Sequence, residues 1–321
     1  MILFSAKDIV KKYGAFTALD KVSIEVPENT VFGLLGPNGA GKTSLIRIIN
    51  HITAPDEGEM FFMGRKSSSS DIAYIGYLPE ERGLYKKMNV GEQALYLARL
   101  KGLSKKDALI KLKYWFEKFE ITTWWNKKIE ELSKGMQQKV QFIVTILHEP
   151  KLLILDEPFS GFDPINANLI KDEILELKKK GTTIILSTHN MGSVEELCDH
   201  IALINRSKKI LDGSVKDIRK ANRSQTYMIE FSGNMIAFTN ALWTGCTLIS
   251  HETDGEQIKA NIQLTGTTTP NQVLQQLIPH VSINGIKEML PTMNEIFIQK
   301  VKAAGEEEIT EKSSTNSNLT E

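Results

Sequence analysis

Residues 31–43, Val-Phe-Gly-Leu-Leu-Gly-Pro-Asn-Gly-Ala-Gly-Lys-Thr, decide the fold. The apolar run 31–35 reads as a buried strand, and the eight residues after it are a full G-x-x-x-x-G-K-T loop opening a helix from Lys42 to about Asn50. Across Gly36, Pro37, Asn38, Gly39, Ala40 and Gly41 the glycines let the backbone curl, so that successive N–H groups point at one place. Together with the helix N-terminus they form a concave anion site. Lys42 adds a point charge at the β- and γ-phosphates of a nucleotide, the Thr43 hydroxyl is a ligand for Mg²⁺, and Ser44 closes the binding run.

Working outward, residues 2–10 and 22–26 read as strands, 53–59 as a turn and 72–78 as another strand. From about 89 to 150 the pattern is helical, with Asn89 and Glu92 spaced as a capping box. Lys101, Lys105, Lys106, Lys111 and Lys113 read as the wet face of those helices, and Trp124 and Trp125 as packing or surface residues. Strand character returns at 151–155, 183–187 and 201–205 with helices between, which gives an α/β fold with a mostly parallel sheet. Beyond about residue 222 the pattern changes to half-exposed alternation at 225–231, 256–264 and 296–301, with a single helix near 271–279. The expected division is 1–222 for the nucleotide-binding domain, its helical part at about 89–149, and 223–302 for a small α+β domain. Residues 303–321, with five Glu and one Lys, read as a disordered tail.

Composition narrows the class. Among 321 residues, 41% are hydrophobic and 24% charged, as in an ordinary globular protein. Lys+Arg and Asp+Glu balance at 39 each, so no bulk charge recruits nucleic acid or anionic lipid. Cys198 and Cys246 are the only cysteines, which excludes a disulfide scaffold and any zinc site of several thiolates. No apolar stretch approaches the ~20 residues a membrane helix needs. The opening MILFSAKDIV lacks a basic n-region and a cleavage site, so a cytoplasmic chain is expected, any membrane work falling to another protein.

The second chemical signal is the strand 151–155 ending in Asp156 and Glu157. Two carboxylates there suit metal-assisted hydrolysis, with Asp156 holding Mg²⁺ through its waters and Glu157 orienting or deprotonating the attacking water. Between the two motifs lies Leu132-Ser133-Lys134-Gly135-Met136-Gln137, similar to the signature Leu-Ser-Gly-Gly-Gln of the ATP-binding subunits of ABC transporters. Residues 1 to about 222 resemble that family, which implies a P-loop NTPase (RecA-like) core with an inserted helical subdomain.

The resemblance implies further roles. Ser133 and Gly135 would close over the γ-phosphate bound on another protomer. Tyr13 is similar to the aromatic that stacks on adenine, and His189 in Ser-Thr-His to the histidine that hydrogen-bonds the γ-phosphate. Asp163 resembles the loop that crosses the dimer interface, while as a residue it equally suits a helix start. Three departures stand out: Lys134 replaces the first signature Gly, Met136 stands at the usual Gln, and Glu80 takes the place of the family's Mg²⁺-reaching Gln. A carboxylate still satisfies a hard cation. The run Pro79-Glu80-Glu81-Arg82-Gly83-Leu84-Tyr85 and the C-terminal extension resemble bacterial export ATPases of the sodium-extrusion type, a multidrug-like exporter being equally compatible.

With one phosphate loop and no internal repeat, one chain cannot make the composite site the family uses. A head-to-tail homodimer, or a pair with a paralogous ATPase subunit, is therefore expected, driven by ATP and docked on a polytopic permease. The alternative of a different class is a soluble ABC ATPase acting on ribosomes or DNA. It is disfavoured because this chain has one ATPase half and no coiled coil or zinc module between Thr43 and Asp156.

Overall fold

The computed structural model describes residues 1–81, 83–242, 245–255 and 257–304. Residues 303 and 304 close a terminal helix over 293–304, and the rest of the expected tail lies outside the described residues. The chain divides into two compact units, Met1–Val215 with the described residues from Lys300 on, and Lys216–Gln299.

The first unit opens with β1 (Ile2–Tyr13) and β2 (Phe16–Pro27), an antiparallel pair. The phosphate-loop strand β3 (Val31–Leu35) follows, buried at all five positions. The helix α1 (Lys42–Ile49) starts at Gly41 and turns Leu45, Ile46, Ile48 and Ile49 inward, the i, i+3, i+4 spacing of an amphipathic helix. Next come β4 (Glu57–Phe62), the short β5 (Arg65–Lys66), a 3-10 turn over Ser69–Tyr74 and β6 (Ile75–Leu78). The strand expected at 72–78 therefore begins only at Ile75. Asp71, wholly buried, accepts the Ser68 N–H and pairs with Arg65, which fixes the preceding residues as a turn.

Three helices follow: α2 (Val90–Leu100), α3 (Lys105–Lys118) and α4 (Lys134–Ile146). Asn89 does precede α2, but its side chain makes no capping hydrogen bond; α3 is capped, the Ser104 Oγ accepting the Asp107 N–H at 3.1 Å. Lys101 is not on a wet face: its Nζ donates to the carbonyls of Ile72 and Ile75, both at 2.9 Å. Trp125 packs on Phe116, ring centroids 5.5 Å apart, a packing residue as expected.

The unit closes with β7 (Leu152–Asp156), α5 (Pro164–Lys179), β8 (Thr183–Thr188), α6 (Met191–Leu197), β9 (His200–Asn205) and β10 (Lys208–Ser214). The main sheet has the order β10-β9-β3-β8-β7-β6, parallel except for β10, and β2-β1-β4-β5 form a separate antiparallel sheet. One core joins both sheets to α1, with Phe4, Phe32, Ile46, Phe62, Ile154 and Ile204 fully enclosed. Cys198 is buried beside Gly33 of β3, and burial pushes its thiol up to about 12.

In the second unit, past α7 (Val215–Ala221), the strand β11 (Thr226–Ser232) is followed by α8 (Met235–Ala241). Then come β12 (Cys246–Asp254), β13 (Gln257–Leu264), α9 (Pro270–Leu277) and β14 (Ser282–Met289). Its antiparallel sheet has the order β12-β13-β11-β14. Phe231 and Phe238 stack at 4.2 Å over a core completed by Ile229, Ile262, Val273 and Leu277. Three expectations are corrected: β12 and β14 are strands that the alternation did not mark, α8 is a second helix, and 296–301 is helical. The reason is a capping box: the Thr292 Oγ accepts the Glu295 N–H at 3.2 Å, and the Glu295 carboxylate accepts the Thr292 N–H at 2.7 Å.

Within the first unit, α3 is tied to α5 by one cation. Lys118 reaches Glu173 at 2.5 Å and Glu176 at 2.6 Å, and Glu173 is only 2% exposed. Burial pushes the Glu173 carboxyl up while Lys118 opposes it. Removing the cation strands a buried charge, so Lys118→Met should cost about 3 kcal/mol in urea denaturation. Glu173→Leu added to it should restore part of the loss.

Candidate functional site

The site grows from the carboxyl end of β3. After Leu35 the chain must double back under itself, and Gly36 does so at φ 149°, where a Cβ would sit 2.1 Å from the Ile204 carbonyl oxygen. Gly41 lies at φ 116° against the Ala18 carbonyl, 2.3 Å from where a Cβ would be. No L side chain fits either position, so the glycines are required by the loop. The loop is braced from outside: the Ala40 carbonyl accepts the Ser207 N–H at 3.1 Å, and the Ser207 hydroxyl donates to the Thr17 carbonyl at 2.6 Å.

Lys42, at the first turn of α1, is buried and donates to the carbonyls of Gly36 at 2.7 Å and Pro37 at 3.1 Å. Burial holds its ammonium below the ordinary lysine range, while Glu157, Asp156 and Glu80 pull it back up. Asp156 ends β7 at 4% exposure; burial pushes its carboxyl up, Glu80 and Glu157 adding to this and Lys42 opposing it. A cavity of about 320 Å³ runs along this edge. Tyr13, Asn38, Gly39, Gly41, Lys42, Thr43, Ser44, Glu80, Asp156 and Glu157 all line it, together with Phe16.

Glu157 is the most constrained of these. Its backbone sits at φ 47°, a left-handed conformation worth about 1–3 kcal/mol of strain, held because its surroundings fix it. Its N–H donates to the Ser187 carbonyl at 2.9 Å. Its carboxylate takes hydrogen bonds from the His189 N–H at 3.1 Å and the Thr188 hydroxyl at 3.3 Å, and meets His189 Nδ1 at 2.6 Å. Glu157 and His189, 32 positions apart in the chain, are thus in direct contact across β7 and β8.

The remaining sequence-derived residues lie elsewhere. Ser133 caps α4, its hydroxyl accepting the Met136 N–H at 3.3 Å, and Gly135 sits in the first turn near Phe162. Asp163 caps α5, accepting the N–H groups of Ile165 and Asn166, each at 3.0 Å. Those bonds hold its carboxyl below the usual range. None of the three lines the Lys42 cavity. Sequence reasoning missed Phe16, an exposed aromatic three residues after Tyr13 whose place at the cavity mouth a hairpin reading of 13–16 would have suggested. It also missed Gln138, for which the sequence carries no signal.

The cradle of left-handed glycines, the buried donor Lys42 and the clustered carboxylates fit a nucleotide phosphate with a hard divalent cation. Comparison with known proteins agrees. The family model for ABC transporters matches residues 19–160, and the C-terminal domain of ATP-binding protein DrrA1-3-like matches residues 213–301. An AAA domain model also matches, over 126–195. The ABC transporter ATP-binding protein YhaQ of Bacillus subtilis is 40% identical over 93% of this chain and 98% of its own length. The lantibiotic transport ATP-binding protein SrtF of Streptococcus pyogenes is 32% identical over 65% of this chain and 90% of its own. A solved ATP-binding subunit of an ABC transporter superposes with a TM-score of 0.64 at 31% identity, covering 68% of this chain and 92% of that one.

The chain belongs to the ATP-binding proteins of ABC transporters. It is an ATP-binding P-loop NTPase, and its class of reaction is ATP hydrolysis. Because the loop has no room at Gly41, Gly41→Ala should weaken nucleotide binding about ten- to a hundredfold, at ~1.4 kcal/mol per tenfold. Fluorescent-nucleotide titration reads this directly.

Proposed function

We propose that this chain powers a bacterial exporter, closing head to tail with a second copy or a paralogous subunit around two ATP molecules. The observation that carries the reading is the split site. Lys42, Asp156 and Glu157 share one cavity, whereas Ser133, Gly135 and Asp163 of the same chain lie outside it and are free to meet a nucleotide on another protomer. An ATPase domain over 1–222 with its helical part at 89–149, and an accessory domain over 223–302, complete this reading.

Residues 36–44 cradle the phosphates, with Lys42 as the point charge, while Tyr13 offers a flat face to the base. Thr43, Asp156 and Glu80 would hold Mg²⁺, which when bound supplies charge neutralisation at the phosphates. Glu157 accepts the proton of the attacking water, and His189 keeps that carboxylate aimed through the 2.6 Å contact, its exposed imidazole being the group that would hydrogen-bond the γ-phosphate.

A larger cavity of about 630 Å³ lies away from the phosphate loop, between β6 and the helices α2 and α4. Its walls include Tyr77, Leu84, Leu97, Leu100 and Val144, an apolar groove of the size a short helix fills. Among the described residues no helix is long and apolar enough to cross a membrane. A permease helix seated in this groove would place the chain at the inner face of the membrane. The exporter assignment draws support from SrtF, whose name states lantibiotic transport.

Glu157→Gln should keep ATP affinity, accumulate as a dimer with ATP on size exclusion, and lose about 10²–10⁴-fold of turnover. A mutant that turns over like wild type removes Glu157 from the base role. A mild-detergent pull-down of tagged Glu157→Gln chain from native membranes with ATP and Mg²⁺ should bring down a polytopic protein near stoichiometrically. Leu100→Glu, at an exposed groove position, should abolish that capture while leaving ATP binding intact. Recovery of ribosomal or DNA-associated proteins alone would overturn the transport reading.

A further inference from the structure

We propose that Gln138 is a positioning residue for Glu157, acting through the buried hydrogen bond from its Nε2 to the Pro158 carbonyl; this rests on Glu157 being the base. The bond is 2.9 Å long, and Gln138 is only 5% exposed. Pro158 is the residue directly after Glu157 and is itself buried.

Glu157 needs such a tether. It is a non-glycine residue at φ 47° standing immediately before a proline, a place where the chain is already restricted. On its N-terminal side the geometry is fixed by the N–H bond to Ser187 in β8. On its C-terminal side the Glu157 carbonyl accepts the Ser160 N–H at 3.1 Å, a bond within the same turn that does not tie the turn to the rest of the molecule. The Gln138 amide supplies that outside anchor. Pro158 has no N–H of its own, so its carbonyl is the one backbone handle that residue offers. A buried carbonyl stripped of its donor must move to find another, and Glu157 moves with it.

The anchor sits on α4, five residues beyond the Ser133 cap. The first turn of the same helix faces the same loop: a Cβ on Gly135 would lie 3.6 Å from the Phe162 ring and 3.8 Å from the Gly161 carbonyl oxygen. Placement of the base therefore depends on where α4 stands. In a head-to-tail dimer, α4 carries Ser133 toward the neighbouring nucleotide, so the Gln138 bond passes the state of that site to the carboxylate of this one.

The test compares two variants of the full chain with wild type, using ATP itself. Gln138→Leu removes the donor. It should lower kcat about tenfold, equivalent to ~1.4 kcal/mol, with KM and ATP affinity within about twofold, and reduce the Hill coefficient for ATP toward one. Gln138→Glu keeps the shape but sets an ionised oxygen against the Pro158 carbonyl, and becomes a donor again only when protonated. Its activity relative to wild type should rise as pH falls from about 8 to about 6, the range into which burial can lift a carboxyl. Unchanged kcat in Gln138→Leu, or a Gln138→Glu profile parallel to wild type, overturns the proposal. Should Gln138→Leu fail to fold, the pH profile of Gln138→Glu decides alone. Failure of the underlying reading shows separately, as retained turnover in Glu157→Gln.

Discussion

The structure depends on the parallel pairing of β6, β7, β8 and β3. Parallel strands end on the same edge of a sheet, and in this order four carboxyl ends meet there. Leu35 is paired with Thr188, Asp156 with Ser187, and Leu78 with Leu155. The residues next along each strand are Gly36, His189, Glu157 and, two beyond Leu78, Glu80. Register alone thus gathers the phosphate loop, two carboxylates, a histidine and a candidate metal ligand from positions spread over more than 150 residues. A slip of one residue in β7 would send Asp156 and Glu157 to opposite faces.

Much of this was readable beforehand because the relevant signals are local. The phosphate loop needs glycines at two crowded points, and Gly36 and Gly41 stand there. Strands covered on both sides need continuous apolar residues, and Leu152–Leu155 and Ile184–Leu186 supply them. What stayed hidden depends on contacts between distant segments. Nothing in the spacing of Lys101 distinguishes it from Lys105, yet one caps the carbonyls of Ile72 and Ile75 and the other is exposed. Gln138 reads as one more polar residue in a helical run, and its meaning comes from Pro158. The second unit was read least well, since β12 and β14 bury almost none of their residues and carry little apolar pattern. There the Thr292–Glu295 capping box was a better guide than the alternation at 296–301.

Two contacts of different chemistry join the helical region to α5 and to the turn after β7. Lys118 binds α3 to α5 through charge, and Gln138 binds α4 to the turn after β7 through a neutral amide. The first grips the body of the helix that Asp163 begins, and the second grips the backbone beside Glu157. A shift of the helices relative to the sheet therefore reaches Glu157 and α5 together.

Cys198 sits in the interior against the strand that feeds the phosphate loop. Only the thiolate reacts with oxidants or electrophiles. A thiol held up at about 12 and shut away from solvent offers almost none at neutral pH. The cysteine behaves there as a small apolar filler, its sulfur packed against Gly33 of β3.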